Sequence, residues 1–360
     1  MNLNIFNPEH DIALAFNRKN LMVAHAAQEL RQNLGFIAAL WAADGDCVLV
    51  DDISFALKAS RLFKNILPDV LFVEKQDLKH LPIRGLNTWG WDCRIKAELE
   101  EAKVPTSVLP TEEKLNGLRA LSSRQNVAEI LTATRESIED WTCGESFCCT
   151  DIEEAKELTC RYGKVVAKAP WSSSGRGVRY LWDTTDKSKM QWAEKTIRQQ
   201  GCIEVEPYYN RVVDFAMEFS ADVSHGVKYE GLSVFSTTNG RYTGNVVASE
   251  EYKRGLLQRY VAEGELRCVS QRLEAALTAM LKGRYTGPLG VDMMIVAQPY
   301  GGRFLLHPCV EVNLRRTMGF VALDLARKMK PEHAQLMSIV HDTNYTLKTT
   351  RIEGEFVNVL

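Results

Sequence analysis

The chain has 360 residues, of which 45% are hydrophobic and 25% charged, and its formal net charge is −2. That length exceeds a single simple core and predicts two or three packed lobes with clefts between them. So even a charge balance gives no global attraction to nucleic acid or to an anionic membrane, and any anion binding must be local.

The first residues, "MNLNIFNPEHDIALAF", show no basic segment followed by an apolar core and a cleavage site. No stretch approaches the length of a membrane-spanning helix, so a cytoplasmic protein is expected. Nine cysteines, with Cys148 and Cys149 adjacent, form no CxxC pair and no zinc-spaced Cys/His array. They are expected to be reduced and mostly buried.

Through the first hundred residues or so, short apolar strands alternate with helical patterns: "LNIFN", "NLMVAHAAQELRQNLGFIAALWAA", "CVLVDD" and "VLFVEK". This alternation predicts a small α/β lobe over 1–104 with a largely parallel sheet. No glycine-rich dinucleotide fingerprint follows the first strand, which argues against a standard NAD-binding lobe. "TWGWD" reads as a loop and "CRIKAELEEA" as the start of a helix. From Pro105 to about Cys160 the pattern is mostly helical, and "TEEKLNGLRALSSRQNVAEILTAT" reads as two amphipathic helices broken near "LSSR".

The texture then becomes β-rich in "KVVAKAP", "GVRYLW" and "CIEVEPYY", with the helix "SKMQWAEKTIRQQ" among them. "VVDFAMEFSAD", "GLSVFSTTNGRYTGNVVAS", "GPLGVDMMIVA" and "GRFLLHPCVEVNL" predict a larger antiparallel sheet, with helices at about 255–283 and 319–330 packed on it. The expected division is a lead-in and lid region over 105–209 and a larger unit over 210–360, with no internal repeat and no low-complexity linker.

Three constellations carry chemistry. In "VVAKAPWSSSGRGVRY" a strand delivers Lys168 to a loop of Ser172, Ser173, Ser174, Gly175, Arg176 and Gly177. Glycines let backbone amides approach an anion, serines add hydroxyl donors and the lysine adds charge. The GK[ST] ending and following helix of a Walker loop are missing, and an ordinary hairpin turn is the plainer reading.

In "IEVEPYYNRVVDFAMEF" a strand runs into Pro207 and a hinge whose backbone could pair with an adenine edge, and Asp214 could accept hydrogen bonds from a ribose. The plainer reading is a solvated strand end. In "GPLGVDMMIV" Asp292 stands inside an apolar strand, and "RFLLHPCVEVNLRR" places Glu311 and Asn313 on one face. Two carboxylates and a carboxamide are hard oxygen donors of the kind that Mg²⁺ takes beside nucleotide phosphates. Arg315 and Arg316 would stand beside them, where one can stabilise a transferring phosphoryl group. The alternative, a surface ion-pair ladder, sits poorly with the apolar neighbours.

In this order the three elements resemble the ATP-grasp superfamily from about residue 105 to 330. The resemblance implies an ATP-grasp fold of the α/β (α+β) class behind an N-terminal α/β lobe, with ATP and Mg²⁺, or Mn²⁺ in its place, as cofactors. It implies that Lys168 grips the nucleotide phosphates, that "WSSSGRG" is a lid, and that Glu206, Pro207, Tyr208 and Tyr209 form the adenine hinge with Asp214 as the ribose acid. Asp292, Glu311 and Asn313 match the metal ligands and Arg315 the arginine of the closing motif, with Arg176 and Arg241 as further candidate catalytic cations.

Arg124 in "LSSRQ" stands where the family has an earlier lysine, and Pro207 stands where a residue with a free N–H is common. The γ-phosphate contact is open among Arg241, Asn245 and Lys253. The first lobe looks like the one that precedes ATP-grasp domains and helps form the acceptor site, with "NPEHD" (Asn7 to Asp11) and "TWGWD" as substrate-facing loops. The plainer reading makes His10 a satisfied loop histidine and Trp89 and Trp91 plugs between lobes.

The resemblance implies an ATP- and Mg²⁺-dependent carboxylate–amine ligase that acts on small molecules through an acyl phosphate. A small-molecule kinase and a non-catalytic nucleotide-binding regulator are the alternatives. Neither nucleic acid nor membrane is expected as a partner, and the substrates and oligomeric state are left open.

Overall fold

A computed structural model describes residues 1–172, 177–238, 241–298 and 302–353. The first apolar segments form strands β1 (Asn2–Ile5), β2 (Cys47–Leu49), β3 (Leu71–Val73) and β4 (Gly85–Thr88), all parallel in the order β3-β2-β1-β4. Helices α1 (His10–Phe16), α2 (His25–Leu34), α3 (Ile53–Ser60) and α4 (Cys93–Glu101) alternate with them. Leu3 and Ile5 of β1 are wholly buried, as a strand of such a sheet requires. Asp52 and Asp92 cap α3 and α4 by accepting backbone N–H groups of their first turns.

The lead-in comprises α5 (Glu112–Leu121) and α6 (Val127–Arg135), broken as expected at the serine pair, where Arg124 opens a short 3-10 turn. A four-stranded antiparallel sheet follows: β5 (Phe147–Cys149), β6 (Val165–Lys168), β7 (Val178–Leu181) and β8 (Ile203–Pro207), in the order β5-β8-β6-β7. Helices α7 (Ile152–Tyr162) and α8 (Lys187–Gln200) close its core over Val165, Ala167, Ile203 and Val205.

The remaining strands are β9 (Arg211–Asp222), β10 (Gly226–Thr238), β11 (Arg241–Val247), β12 (Gly287–Val296), β13 (Leu305–Asn313), β14 (Gln335–His341) and β15 (Tyr345–Arg351). They form one antiparallel sheet in the order β13-β12-β9-β10-β11-β14-β15. Helices α9 (Glu250–Leu257), α10 (Glu263–Leu281) and α11 (Met318–Met329) accompany it.

The two-residue alternation of β9 decides which face does what. Phe215, Met217 and Phe219 point into a core shared with α5, α6 and α10, while Asp214 and Glu218 face the other way. The sequence pattern did not announce β5, β14 or β15. β5 has only three residues, and β14 and β15 end the sheet with mostly half-exposed positions, so their apolar signal is weak. All nine cysteines are free; five are buried, while Cys148 and Cys160 are exposed. Among the described residues no helix is long and apolar enough to cross a membrane.

Candidate functional site

The third constellation assembles on the open face of the large sheet. Strand register sets Asp292 directly opposite Glu311 and Gly290 opposite Asn313, and Asn313 Nδ2 donates to Asp292 Oδ2 at 3.2 Å. Burial, and next the charge of Glu311, push the Asp292 carboxyl up to about 7. The two carboxylates stand directly opposed across the strand pair. With the carboxamide they suit a hard cation such as Mg²⁺. Among the described residues there is no group of three or more His, Cys, Asp and Glu side chains suited to a metal.

Sequence reasoning passed over Glu218, although an acid in the apolar run "FAMEF" is the same signal that marked Asp292. It lies beside Gly290 in the register of β9 and β12. Burial drives it up to about 8, and one of its oxygens has no hydrogen-bond partner. A Cβ at Gly319, in the first turn of α11, would stand 2.1 Å from the other carboxylate oxygen. The glycine therefore makes room for the acid.

Three cations approach this face. Arg124, buried in the turn between α5 and α6, donates to Ala169 O and Ser172 Oγ, both at 2.7 Å, and to Glu311 Oε1 at 2.6 Å. One guanidinium thus ties the base of the serine loop to a candidate metal ligand. Lys168 Nζ pairs with Glu206 Oε1 at 2.6 Å and donates to Val310 O at 3.2 Å, linking β6, β8 and β13. Arg315 makes a bidentate pair with Asp11 of α1, both contacts at 2.8 Å. Burial would raise the Asp11 carboxyl, but Arg315 outweighs it and holds the group below its usual value.

At the serine loop, a Cβ on Gly177 would lie 2.2 Å from Ser172, so the two arms of the loop are pinched together at its base. Ser173, Ser174, Gly175 and Arg176 lie outside the described residues, as does the side chain of Arg241. At the hinge, Tyr208 N donates to Lys164 O at 2.9 Å and Pro207 has no N–H, so neither has a free amide for an adenine. Tyr209 packs its ring on buried His307. Asp214 pairs with Arg211 at 2.8 Å and accepts from Thr237 Oγ1 at 3.2 Å, on the same side of the sheet as Asp292.

The other two γ-phosphate candidates are interior. Asn245 donates to Ser233 Oγ at 2.8 Å, and Lys253, 2% exposed, donates to Leu232 O at 2.6 Å and pairs with Glu250.

The first lobe contributes a dyad that local pattern did not show. His10 is buried, and its Nδ1 lies 3.0 Å from Asp92 Oδ2. Asp92 already accepts from the amides of Arg94 and Ile95 and from Asn7 Nδ2, so it acts as an acceptor and His10 donates through Nδ1. His10, Arg124, Glu311 and Arg315 together line a narrow cleft with a cavity of about 20 Å³.

No protein-family model and no curated sequence matches the chain. Solved structures do. The biotin carboxylase domain of Hydrogenobacter thermophilus 2-oxoglutarate carboxylase, in complex with MgADP, ADP and bicarbonate, is 14% identical with a TM-score of 0.50, over 83% of this chain and 75% of that one. N5-carboxyaminoimidazole synthetase from Staphylococcus aureus, complexed with ADP, is 10% identical at a TM-score of 0.48, over 94% and 82%. A protein of the ATP-grasp superfamily from Archaeoglobus fulgidus is 12% identical at 0.47, over 98% and 100%.

Proposed function

The chain has the ATP-grasp fold, and on that premise we propose that it is an ATP- and Mg²⁺-dependent ligase joining a small-molecule carboxylate to an amine through an acyl phosphate. The observation that carries the reading is the opposition of Asp292 and Glu311, with Asn313 beside them, facing Arg124 and Arg315. MgADP in the Hydrogenobacter domain supports the same nucleotide and metal.

Asp292, Glu311 and Asn313 would hold Mg²⁺, which when bound neutralises charge on phosphate oxygens. Lys168 would exchange its pairing with Glu206 for a phosphate. Arg124, leaving Glu311 to the metal, would do the same while keeping its hold on the serine loop. In the first step a carboxylate oxygen attacks the γ-phosphorus and ADP departs, with Arg315 stabilising the charge in transfer. In the second, the amine nitrogen attacks the acyl carbon and phosphate departs. The amine's surplus proton passes to Nε2 of His10, which Asp92 holds in the tautomer that leaves this nitrogen free. In this reading 1–104 form the acceptor-side lobe, 105–209 the lid region and 210–360 the metal-bearing unit.

The test is to incubate the chain with MgATP and pooled carboxylates and amines, and to quantify ADP and inorganic phosphate together. Equal amounts of both, dependent on the pools and lost in Glu311→Gln, are expected. ADP without free phosphate would replace the ligase by a kinase, and no ADP from any pool would leave a nucleotide-binding protein.

A further inference from the structure

A second cavity, of about 210 Å³, lies where the first lobe meets the large sheet. Small-molecule sites favour such junctions between lobes. Its walls are aromatic: Trp41 follows α2, Trp89 and Trp91 come from the loop after β4, and Tyr285 precedes β12. Trp41 and Trp89 stand 6.2 Å apart at 49°, and the Tyr285 hydroxyl is spent on Pro288 O at 2.5 Å.

The polar inventory is one-sided. No acidic side chain lines this cavity. Trp41 Nε1 donates to Asn87 O, but the indole N–H groups of Trp89 and Trp91 have no acceptor among the described residues. Arg316 adds a cation, paired with Asp324 through Nη1, while its buried Nε has no partner. Arg316 Nε is a buried donor left unsatisfied, which is costly, and the two indole N–H groups are open to an acceptor, so the cavity favours a ligand rich in acceptors.

Aromatic walls also suit organic cations, but here the Arg316 guanidinium already lies 4.5 Å from the Trp41 ring and 4.9 Å from that of Phe320. A second cation would be repelled. A flat ring carrying acceptors would not. Ser122 and Leu314 line both this cavity and the one that holds His10, Glu311 and Arg315, so the two are neighbours through a shared wall.

We propose that this aromatic cavity seats the acid substrate, and that the acid is a small planar aromatic or heteroaromatic carboxylate. Its ring lies among Trp41, Trp89 and Trp91, its ring acceptors meet the indole N–H groups and Arg316, and its carboxylate reaches past Ser122 and Leu314 toward Arg315. The direction of the carboxylate rests on the ligase reading; the preference for a flat, acceptor-bearing anion does not.

The experiment is calorimetric titration of the full chain, saturated with MgADP, with quinoline-3-carboxylate, whose ring nitrogen is an acceptor, cyclohexanecarboxylate and benzylamine, repeated on Trp41→Leu. The expected result is that quinoline-3-carboxylate binds at least about tenfold more tightly than cyclohexanecarboxylate, that benzylamine does not bind, and that Trp41→Leu removes most of the aromatic preference. MgADP affinity equal to wild type shows that the variant is folded. Binding of none of the probes, no preference for the flat ring, or tighter binding of benzylamine overturns the proposal. Release of ADP and phosphate is followed in the same mixtures supplied with MgATP and pooled amines. Aromatic acids that bind without any release from any acid would sink the ligase reading alone. Release with aliphatic acids only would sink the aromatic site alone.

Discussion

Glu204 on β8 offers a sharp test of the electrostatics around Lys168. It is 1% exposed and shares a face with Glu206, and neither of its carboxylate oxygens has a hydrogen-bond partner. Burial first, and the neighbouring Glu206 second, drive its carboxyl from 4.5 up to about 8, with Lys168 pulling the other way. The folded chain therefore keeps a proton that the unfolded chain gives up, and stability falls as pH rises between those two values. The full displacement corresponds to about 5 kcal/mol, and relaxation and water entry reduce this to about 2 kcal/mol.

Glu204→Gln removes the titration and keeps the shape. It should leave stability within about 0.5 kcal/mol of wild type at pH 4, below the unfolded value, and raise it by about 2 kcal/mol at pH 8.5. Urea denaturation followed by tryptophan fluorescence at the two pH values reads both numbers. A difference that stays constant with pH, or a variant that loses ground as pH rises, would refute the reasoning.

Asp11→Asn cuts the latch to Arg315 and should cost about 2 kcal/mol at pH 7. Because Arg315 holds Asp11 below its ordinary 3.8, that stabilisation is present above this value and disappears as pH falls through the lower folded one, so wild type and variant should converge in acid melts. Lys168→Met leaves buried Glu206 unpaired and should destabilise the chain by about 3 kcal/mol. It should also weaken MgADP binding at least about tenfold by calorimetry; unchanged affinity would remove Lys168 from the nucleotide site. In His10→Gln, ATP-dependent amide formation with ordinary amines should fall about a hundredfold or more. Hydroxamate formation with hydroxylamine, which is neutral at pH 7 and whose more acidic adduct can lose its surplus proton to water, should persist. Equal losses with both nucleophiles would leave His10 a merely structural role.

Local pattern revealed what local physics determines. A carboxylate inside an apolar strand has to be explained, so Asp292 and Glu311 were legible, and the two-residue alternation put Asn313 on the face of Glu311. Lys168 stood out because a serine-glycine loop followed its strand. What escaped was long-range pairing: Arg315 with Asp11 across 304 positions, Arg124 with Glu311 across 187, and His10 with Asp92 across 82. No periodicity encodes such partners, which depend on how the lobes are stacked. Lys253 and Asn245 are the opposite case. Their composition suited a phosphate, but interior acceptors had already claimed them.

The last two strands have a mechanical consequence. β14 extends the large sheet beyond β11, and β15 meets the first lobe, where Tyr345 N donates to Asn33 Oδ1 at 2.7 Å and His341 faces Glu29 at 3.1 Å. Phe6, Ile37, Val247, Val321, Met337 and Leu347 fall in one continuous core, so first lobe and large sheet form a single anvil. The small sheet keeps a core of its own and touches that anvil through contacts that include Arg124, Lys168, the Tyr209–His307 ring pair, Trp171 against Arg119 and the backbone bridge of Cys143 to Leu306. On the proposed function it would be the jaw. Lifting it would part those contacts while leaving the core of the anvil intact, which would let nucleotide enter and product leave without loosening the anvil.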